Sequence, residues 1–296
     1  MQVRSHALPR GRPGGKLRCM KRRQATLPRT VPLISGLLFI VFVIAAAPPC
    51  AGAEPSPAAV SAFSSYIAAV ESHLDRQHRS QATFLASGTA DPQRDARLRR
   101  GELLVEQLTP SNGADLPGAM LHHWRGTAFA PGATAADFER LMRDFSAYPQ
   151  HFAPQVLQAR ILSNQQPDIL EASMRVRQRH VITVVMDTTY DIAFARLDAQ
   201  HGYSVSRSTR ISEIGSPGTP SEHALTSSEE HGFLWRQNTY WSYEQRDGGL
   251  YLQIESVSLT RSIPTGLGWA VRPFVDSVPR ESLEFTLRSV TNAIRK

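Results

Sequence analysis

The sequence predicts an α+β fold with an antiparallel sheet, a long C-terminal helix that packs on it, and an additional helix near the N-terminus. Short strands separated by turn residues follow one another through the second half of the chain, which is typical of an antiparallel sheet. Helical periodicity lies near the beginning and at the end of the chain, an order typical of α+β proteins. The last helix carries one apolar stripe, and an amphipathic helix of this length needs a sheet to cover.

Residues 1–53 have the pattern of a secretory signal. They contain nine of the 33 Lys and Arg residues and none of the 26 acidic residues. The basic part precedes the apolar run Leu33–Ala47, and the small residues Ala51-Gly-Ala53 are typical of a cleavage site. The apolar run has 15 residues, fewer than the roughly 20 of a membrane span. We expect export to the periplasm or the medium after cleavage near Ala53, with an uncleaved anchor as the alternative.

The charge and both cysteines belong to this leader. The 243 residues that follow it carry 24 basic and 26 acidic side chains, so the pI of about 9.8 gives no support for a nucleic-acid partner. Cys19 and Cys50 lie in the leader, and Cys50 lacks the small preceding residues of a lipidated cysteine. The exported chain then has no thiol for a disulfide or a metal site.

We divide the exported chain into an N-terminal helix and connector, 54–100, and one ligand-binding domain, 101–296.

The N-terminal segment begins with a helix from Ala58 to Arg79. Its apolar residues recur every three or four positions and form one stripe: Val60, Phe63, Ile67, Val70 and Leu74. We interpret it as a helix that packs on the domain surface, and the alternative is a docking helix for an envelope partner. Residues 80–100 are polar, are interrupted by Asp91-Pro92, and are interpreted as a connector.

A strand and a helix open the domain. Ala119–Phe129 reads as a strand, and Thr134 has the position of a helix N-cap, with Asp137 completing a capping box. The helix that follows has an apolar stripe and ends at Tyr148-Pro149, because the residue before a proline disfavours the helical conformation.

The rest of the domain is a series of strands that leads to the terminal helix. The predicted strands are Val156–Ser163, Ile169–Arg177, Val181–Tyr190, Gly202–Ile211, Phe233–Tyr243 and Leu250–Leu259. Residues 216–230 are rich in Pro, Ser and Glu and are predicted to form an exposed loop. The terminal helix is expected from about Pro279, with an apolar stripe formed by Leu283, Leu287, Val290 and Ile294.

This order of elements resembles the helix-grip superfamily, which includes birch-pollen-allergen-like proteins, polyketide cyclases and StAR-related lipid-transfer domains. The resemblance covers about residues 101–296 and is carried by Trp124–Phe129, Ala135–Phe145, Tyr148–Phe152, Phe233–Arg236, Arg261–Pro264 and Pro279–Leu283. The segment 232–283 looks like exported bacterial members. The resemblance implies a curved antiparallel sheet wrapped around the long C-terminal helix, with a cavity between them that takes apolar or aromatic ligands.

Aromatic residues are the main candidates for contact with a ligand. Alternation along a strand places Phe233, Trp235, Trp241 and Tyr243 on one face, either as a cavity wall or as ordinary core. Residues 262–278 are interpreted as an apolar loop, either a lid with glycine hinges or a plug. The predicted ligand-binding residues are Tyr148, Phe152, Met186, Trp235, Trp241, Tyr243, Trp269, Phe274 and Leu287.

Ionisable residues within strands are the candidates for catalysis: Asp187, Arg236 and Glu255. A carboxylate that faced the cavity would have a raised pKa and could act as a general base, with Arg236 or Tyr240 as an oxyanion donor. We favour the alternative that an Arg–Glu pair lies on the outer face as a cross-strand ion pair. The adjacent His122 and His123 point to opposite faces of a strand, so we expect no metal site.

We therefore predict an exported protein that binds a hydrophobic small molecule or lipid without transforming it, as a monomer and without a cofactor. The alternative is a cyclase- or aromatase-like enzyme that uses a cavity carboxylate as general base. A third possibility is envelope association through the N-terminal segment.

Overall fold

The computed structural model of the chain describes residues 54–80, 84–86, 91–109, 114–116, 118–179, 183–262 and 268–295. The predicted leader and both cysteines lie outside these residues, so the predicted cleavage and export stay predictions. Within the described ranges, no helix combines the length and apolar composition required to cross a bilayer.

The described chain folds into five helices and ten strands. The helices are α1 (Pro57–His78), α2 (Pro92–Arg99), α3 (Ala135–Arg143), α4 (Tyr148–His151) and α5 (Gly268–Ile294), with a 3-10 turn at Phe145–Ala147. The strands are β1 (Leu104–Gln107), β2 (Ala114–Leu116), β3 (Ala119–Pro131), β4 (Val156–Gln166), β5 (Ile169–Arg179), β6 (Thr183–Arg196), β7 (His201–Gly215), β8 (His223–Ala224), β9 (Arg236–Arg246) and β10 (Gly249–Arg261).

All strands belong to one system of antiparallel pairs. Their order is β1-β3-β10-β9-β7-β6-β5-β4, with β2 paired to β3 and β8 paired to β7. The β9–β10 hairpin turns at Asp247-Gly248, both of which have positive φ, 57° and 77°. Glycine adopts such a φ without steric cost. The antiparallel sheet predicted from the sequence is therefore confirmed.

Helix α5 covers one face of the sheet, called here the inner face. Its predicted stripe, Leu283, Leu287, Val290 and Ile294, is buried in the largest apolar core. A Cβ atom added to Gly126 on β3 would lie 2.6 Å from Leu287 Cδ1, so the leucine rests directly on the strand backbone. The predicted grip of the sheet on the terminal helix is confirmed.

Helix α1 covers the opposite face, called here the outer face. Its buried stripe packs in a second apolar core with side chains of β3, β9 and β10: Leu121, Tyr240, Val257 and Leu259. The interpretation of this segment as a packing helix is confirmed. Because the stripe is buried against the sheet, it is not a free face for an envelope partner.

The connector prediction is wrong at residues 92–99, which form α2. Asp91 caps this helix by accepting hydrogen bonds from the backbone N–H groups of Gln93 and Arg94, at 3.0 and 3.2 Å, and Pro92 takes the first helical position. Leu98 of α2 is buried in a third small core with Phe129 and other residues on the outer face. The dipeptide interpreted as a break is therefore a helix start.

The predicted start of the terminal helix at Pro279 is also wrong, because α5 begins at Gly268. Residues 268–278 are helical rather than part of a lid loop, and residues 263–267 of that loop lie outside the described residues. A proline has a helical φ and removes one hydrogen-bond donor, so a helix can continue through it at a cost. The sequence pattern could not distinguish a first-turn proline from an internal one.

Trp235 lies on the opposite side of the sheet from Trp241, which corrects the prediction that they share a face. Strand β9 begins at Arg236, and Trp235 lies in the bend before it. Two-residue alternation therefore does not extend to Trp235, which packs in the outer core with α1. Phe233 precedes the strand as well and stacks on His231 with 5.2 Å between the ring centroids.

Candidate ligand-binding face

One part of the inner face is closed by aromatic packing. Phe138 of α3 contacts Trp241 and Tyr243, with ring centroids 5.3 and 5.1 Å away. The hydroxyl of Tyr243 donates a hydrogen bond to Glu139, and burial together with this carboxylate raises the pKa of the tyrosine. The three rings are at most 3% exposed and form core.

Other predicted ligand-binding residues also lie in or beside this inner core. Tyr148 stacks on Phe145 at 4.5 Å and meets Phe152 edge-on at 4.9 Å, and its hydroxyl donates to the backbone carbonyl of Met142 at 2.8 Å. Burial raises the pKa of Tyr148, which stays a neutral donor. Met186 and Leu287 are buried on the same face. The side chains of Trp269 and Phe274 lie outside what the structure describes.

Polar side chains cross the middle of the inner face in register. Ser256 of β10 is paired with Trp124 of β3 on one side and with Thr239 of β9 on the other, and Thr239 is paired with Ser206 of β7. Cross-strand partners lie on the same face of a sheet. Since Trp124 packs in the inner core, the other three also point toward the α5 side.

A short chain of hydrogen bonds extends this row. The hydroxyl of Tyr190 donates to Gln237 Oε1 at 3.1 Å, and Gln237 Nε2 donates to Ser256 Oγ at 3.3 Å. Burial raises the pKa of Tyr190 to about 12, so it is neutral at physiological pH. We call Trp124, Tyr190, Ser206, Gln237, Thr239 and Ser256 together the polar band.

The polar band differs from the closed core in its exposure. Ser206, Gln237, Thr239 and Ser256 are half-buried, although they lie on the face that α5 covers, and so are neighbouring apolar side chains of β5 such as Met174. Trp124 and Tyr190 are buried. The indole Nε1 of Trp124 has no hydrogen-bond partner in the part of the chain that the structure describes. This region therefore combines partly exposed polar side chains with a buried hydrogen-bond donor that the described residues do not use.

Sequence reasoning did not identify the polar band as a unit. Alternation along β9 separates Gln237 and Thr239 from their outward neighbours. Bringing them beside Trp124 and Ser256, however, depends on the register between strands that are far apart in the sequence. The signal present was the run of small hydroxyl side chains at alternate positions of β7.

The carboxylate Glu255, proposed as a possible base, is buried on the outer face and 1% exposed. Its oxygens accept hydrogen bonds from His123 Nε2 at 2.9 Å, Arg125 Nε at 2.7 Å and Gln253 Nε2 at 3.1 Å. Tyr66 of α1 hydrogen-bonds the other ring nitrogen of His123 at 3.0 Å. Burial alone would raise the pKa of Glu255, but the hydrogen bond from His123 and the charge of Arg125 outweigh it and hold the pKa below its ordinary value.

The other two candidate catalytic residues do not reach the inner face either. Asp187 is bound by both Nε and Nη2 of Arg175, at 2.7 and 2.8 Å, as a cross-strand pair, and its side chain is 47% exposed. Arg236 donates to the carbonyl of Trp235 beside the outer core. The enzyme hypothesis placed these groups in the cavity, and the structure contradicts that placement because all three lie on the side of the sheet away from α5.

The histidine pair is also separated by the sheet. His122 hydrogen-bonds Thr260 Oγ1 at 3.2 Å on the inner side, whereas His123 contacts Glu255 on the outer side. Across the described ranges, no three His, Cys, Asp or Glu side chains are grouped so as to hold a metal ion.

Comparisons with known proteins give matches in structure. No family profile matches the sequence, and no curated protein matches it. A STAR-related lipid transfer protein from Xanthomonas axonopodis is 16% identical, covers 62% of this chain and 98% of its own, and has a TM-score of 0.38. The START superfamily protein from Mycobacterium smegmatis is 15% identical over 58% of this chain and 96% of its own, with a TM-score of 0.38. The Zhui aromatase/cyclase from Streptomyces sp. R1128 is 12% identical over 58% and 92%, with a TM-score of 0.41.

Identities this low and TM-scores below 0.5 carry no argument about what this chain binds or does. The matched structures include both a lipid-transfer protein and an aromatase/cyclase. In the chain itself, the helices between β3 and β4, the antiparallel run that follows and the terminal helix on the inner face have the predicted arrangement. The chain has the helix-grip fold, with α1 added on the outer face of the sheet.

Proposed function

We propose that the chain binds a hydrophobic small molecule or lipid between the inner face of the sheet and α5. The observation that carries this proposal is the half-buried surface around the polar band, which lies beside a tightly buried aromatic core. Binding sites for small molecules are mostly apolar and contain a few placed polar groups. Met174 and Val176 supply apolar surface here, and the polar band supplies the polar groups.

Binding without catalysis fits the placement of the carboxylates. Glu255 and Asp187 are held in ion pairs on the outer face. Glu213, a buried acid of β7, accepts hydrogen bonds from the backbone N–H groups of His231, Gly232 and Phe233 at about 3 Å, which commits it to holding that loop. A general base must reach the proton that it removes. Glu255 and Asp187 lie on the other face of the sheet, and Glu213 is bound by the backbone of residues 231–233.

Export is part of the same proposal and has a separate test. The basic and apolar pattern of residues 1–53 supports a cleaved signal, with Glu54 as the first residue of the product. The intact mass and N-terminal sequence of the protein from a periplasmic or secreted fraction measure this directly. A product that retains residues 33–47 would replace the proposal by membrane anchoring.

The binding proposal is tested by filling the inner face. In Thr239→Trp, an indole replaces a half-buried side chain between Ser206 and Ser256. The matched control is Thr209→Trp, which makes the same change at an exposed position of β7. Full-length wild type and both variants are purified natively, and bound molecules are detected by native mass spectrometry and by extraction. Binding of an apolar fluorescent dye to each protein is titrated in parallel.

We expect the wild type and Thr209→Trp to carry an apolar molecule and to bind the dye, and we expect Thr239→Trp to lose at least tenfold in dye affinity. All three proteins contain the same leader, so any molecule held by its apolar run is common to them. Equal binding by Thr239→Trp and Thr209→Trp would remove the inner face from the proposal.

A further inference from the structure

We infer that the ligand carries an uncharged hydrogen-bond acceptor, such as the carbonyl oxygen of a ketone, aldehyde or ester, and that Trp124 Nε1 binds this oxygen. The inference rests on the proposed function and adds the chemical class of the ligand. It begins from an unpaired atom, because Trp124 is 8% exposed and its Nε1 has no hydrogen-bond partner within the described residues.

An unpaired indole N–H is unusual in a folded protein. Most buried polar atoms have a partner, and leaving one without a partner is destabilising. The indole nitrogen donates and does not accept, so the missing group is an acceptor. Its location decides what can supply that acceptor, since Trp124 lies in register with half-buried Ser256 on the inner face.

The neighbours of Trp124 limit the charge of the ligand. Ser256 Oγ already accepts from Gln237, so its hydroxyl hydrogen remains available as a donor beside the indole. The members of the polar band are an indole, a phenol, an amide and three hydroxyls, and they contribute no charge. Burying a carboxylate or phosphate without a cation is costly, whereas a neutral carbonyl needs one or two donors of this kind.

The position of the polar band also predicts the orientation of the bound ligand. Trp241 and Tyr243 close the inner face on one side of the band, and Met174 and Val176 lie along β5 on another. A molecule with its oxygen at Trp124 can place its apolar part along the half-buried surface of β5 and β7. A pure hydrocarbon would leave the indole N–H unpaired and would bind more weakly than its carbonyl analogue.

The test uses two probes of the same shape, 2-acetylnaphthalene and 2-isopropenylnaphthalene, in which a carbonyl oxygen is replaced by a methylene group. Dissociation constants are measured for the full-length wild type, Trp124→Phe and the outer-face control Trp235→Phe. We expect the wild type and Trp235→Phe to bind the acetyl probe about tenfold more tightly, the effect of one good hydrogen bond. In Trp124→Phe this ratio should fall to about 1–2, because phenylalanine has no N–H.

A second readout does not depend on the folding of a variant. In ¹⁵N-labelled wild type, the indole N–H resonance of Trp124 should move on titration with the acetyl probe and stay near its free position with the isopropenyl probe. Failure of both probes to bind would count against the proposed function itself. Binding of both probes with equal affinity and no selective indole shift would overturn this inference and leave the proposed function standing.

Discussion

Arg125 and Glu255 face each other across β3 and β10 on the outer face, with Arg125 Nε donating to Glu255 Oε1 at 2.7 Å. His123 binds the second carboxylate oxygen at 2.9 Å. The pair thus joins the two strands beneath α1, on the side of the sheet away from the proposed ligand. Its role in the fold is structural, and the first prediction follows from its burial.

Glu255→Ala should destabilise the protein by about 3–5 kcal/mol, because it removes the buried carboxylate that binds His123 and Arg125. Arg125 then keeps only the partly exposed Glu106, at 3.6 Å. Asp187→Ala is the control, since the exposed Arg175–Asp187 pair is worth roughly 0–1 kcal/mol. Urea unfolding of both variants measures the difference. Similar small losses in the two variants would show that the buried network contributes little.

The stability of the protein should fall as the pH drops from about 6.5 to 4, through His78. Burial lowers the pKa of this imidazole from 6.5 to about 4, against the opposing charges of Asp75 and Glu255. Below pH 6.5 the unfolded chain binds a proton that the folded chain does not bind until about pH 4, so acid favours unfolding. The folded His78 hydrogen-bonds Ser242 Oγ at 2.8 Å and stacks on Tyr203 at 4.5 Å.

His78→Gln keeps a polar side chain near Ser242 but has no ionisable group. Its unfolding midpoint in urea, measured between pH 7.5 and 4.5, should decline less steeply than that of the wild type. Glu255 changes the free energy of unfolding at a lower pH than His78 does. Its folded pKa is below the ordinary value, so its stabilising contribution is lost as the pH falls through the folded pKa. Parallel curves for the wild type and His78→Gln would assign the pH dependence to other groups.

Gly126→Ala should destabilise the contact between β3 and α5 by about 1–3 kcal/mol, the usual cost of overpacking a core. The new methyl group would lie 2.6 Å from Leu287 Cδ1 and 3.0 Å from Leu283 Cδ2, and both leucines are buried with little room to move. Leu287→Ala alone should cost about 2–5 kcal/mol through the cavity that it leaves. The double variant should be more stable than the sum of the two losses predicts, because the methyl group occupies part of that cavity. Additive losses would mean that the two positions are not in contact.

Phe63→Ala should cost about 3–5 kcal/mol, because this side chain of α1 is buried in the outer core. Ser65→Ala on the exposed side of the same helix is the control and should change stability by less than about 0.5 kcal/mol. Thermal unfolding measures both. A negligible loss in Phe63→Ala would mean that α1 is only loosely attached and would restore the hypothesis of a docking helix.

Local signals in the sequence predicted local structure well. The capping box of Thr134 and Asp137 was visible at a spacing of three residues and is present in the structure. The apolar stripe of α1 was visible for the same reason. The Asp91-Pro92 signature was present too, but the helix that follows is eight residues long and polar, so periodicity gave it no support.

Features that depend on distant parts of the chain could not be predicted in the same way. Two-residue alternation predicts that Glu255 and Ile254 point to opposite faces of the sheet. It does not predict which of the two faces the terminal helix covers. Trp235 was assigned to the wrong face because strand β9 begins one residue later, at Arg236. The two-residue alternation of the strand therefore does not extend to Trp235. The polar band required the register of Trp124 with Ser256, which are far apart in the sequence and meet only when the sheet is complete.

The covering of the sheet by one helix that precedes the strands and one that follows them has a consequence for biosynthesis. Strand β10 lies between β3 and β9, and its segment Leu250–Ile254 is buried, uncharged and free of proline. Such a segment is prone to pair with other chains while it is unprotected. Its inner side is covered by α5, which follows β10 in the chain and is therefore synthesised after it. We expect the newly made chain to require a holding chaperone until α5 has been synthesised and has covered the strand.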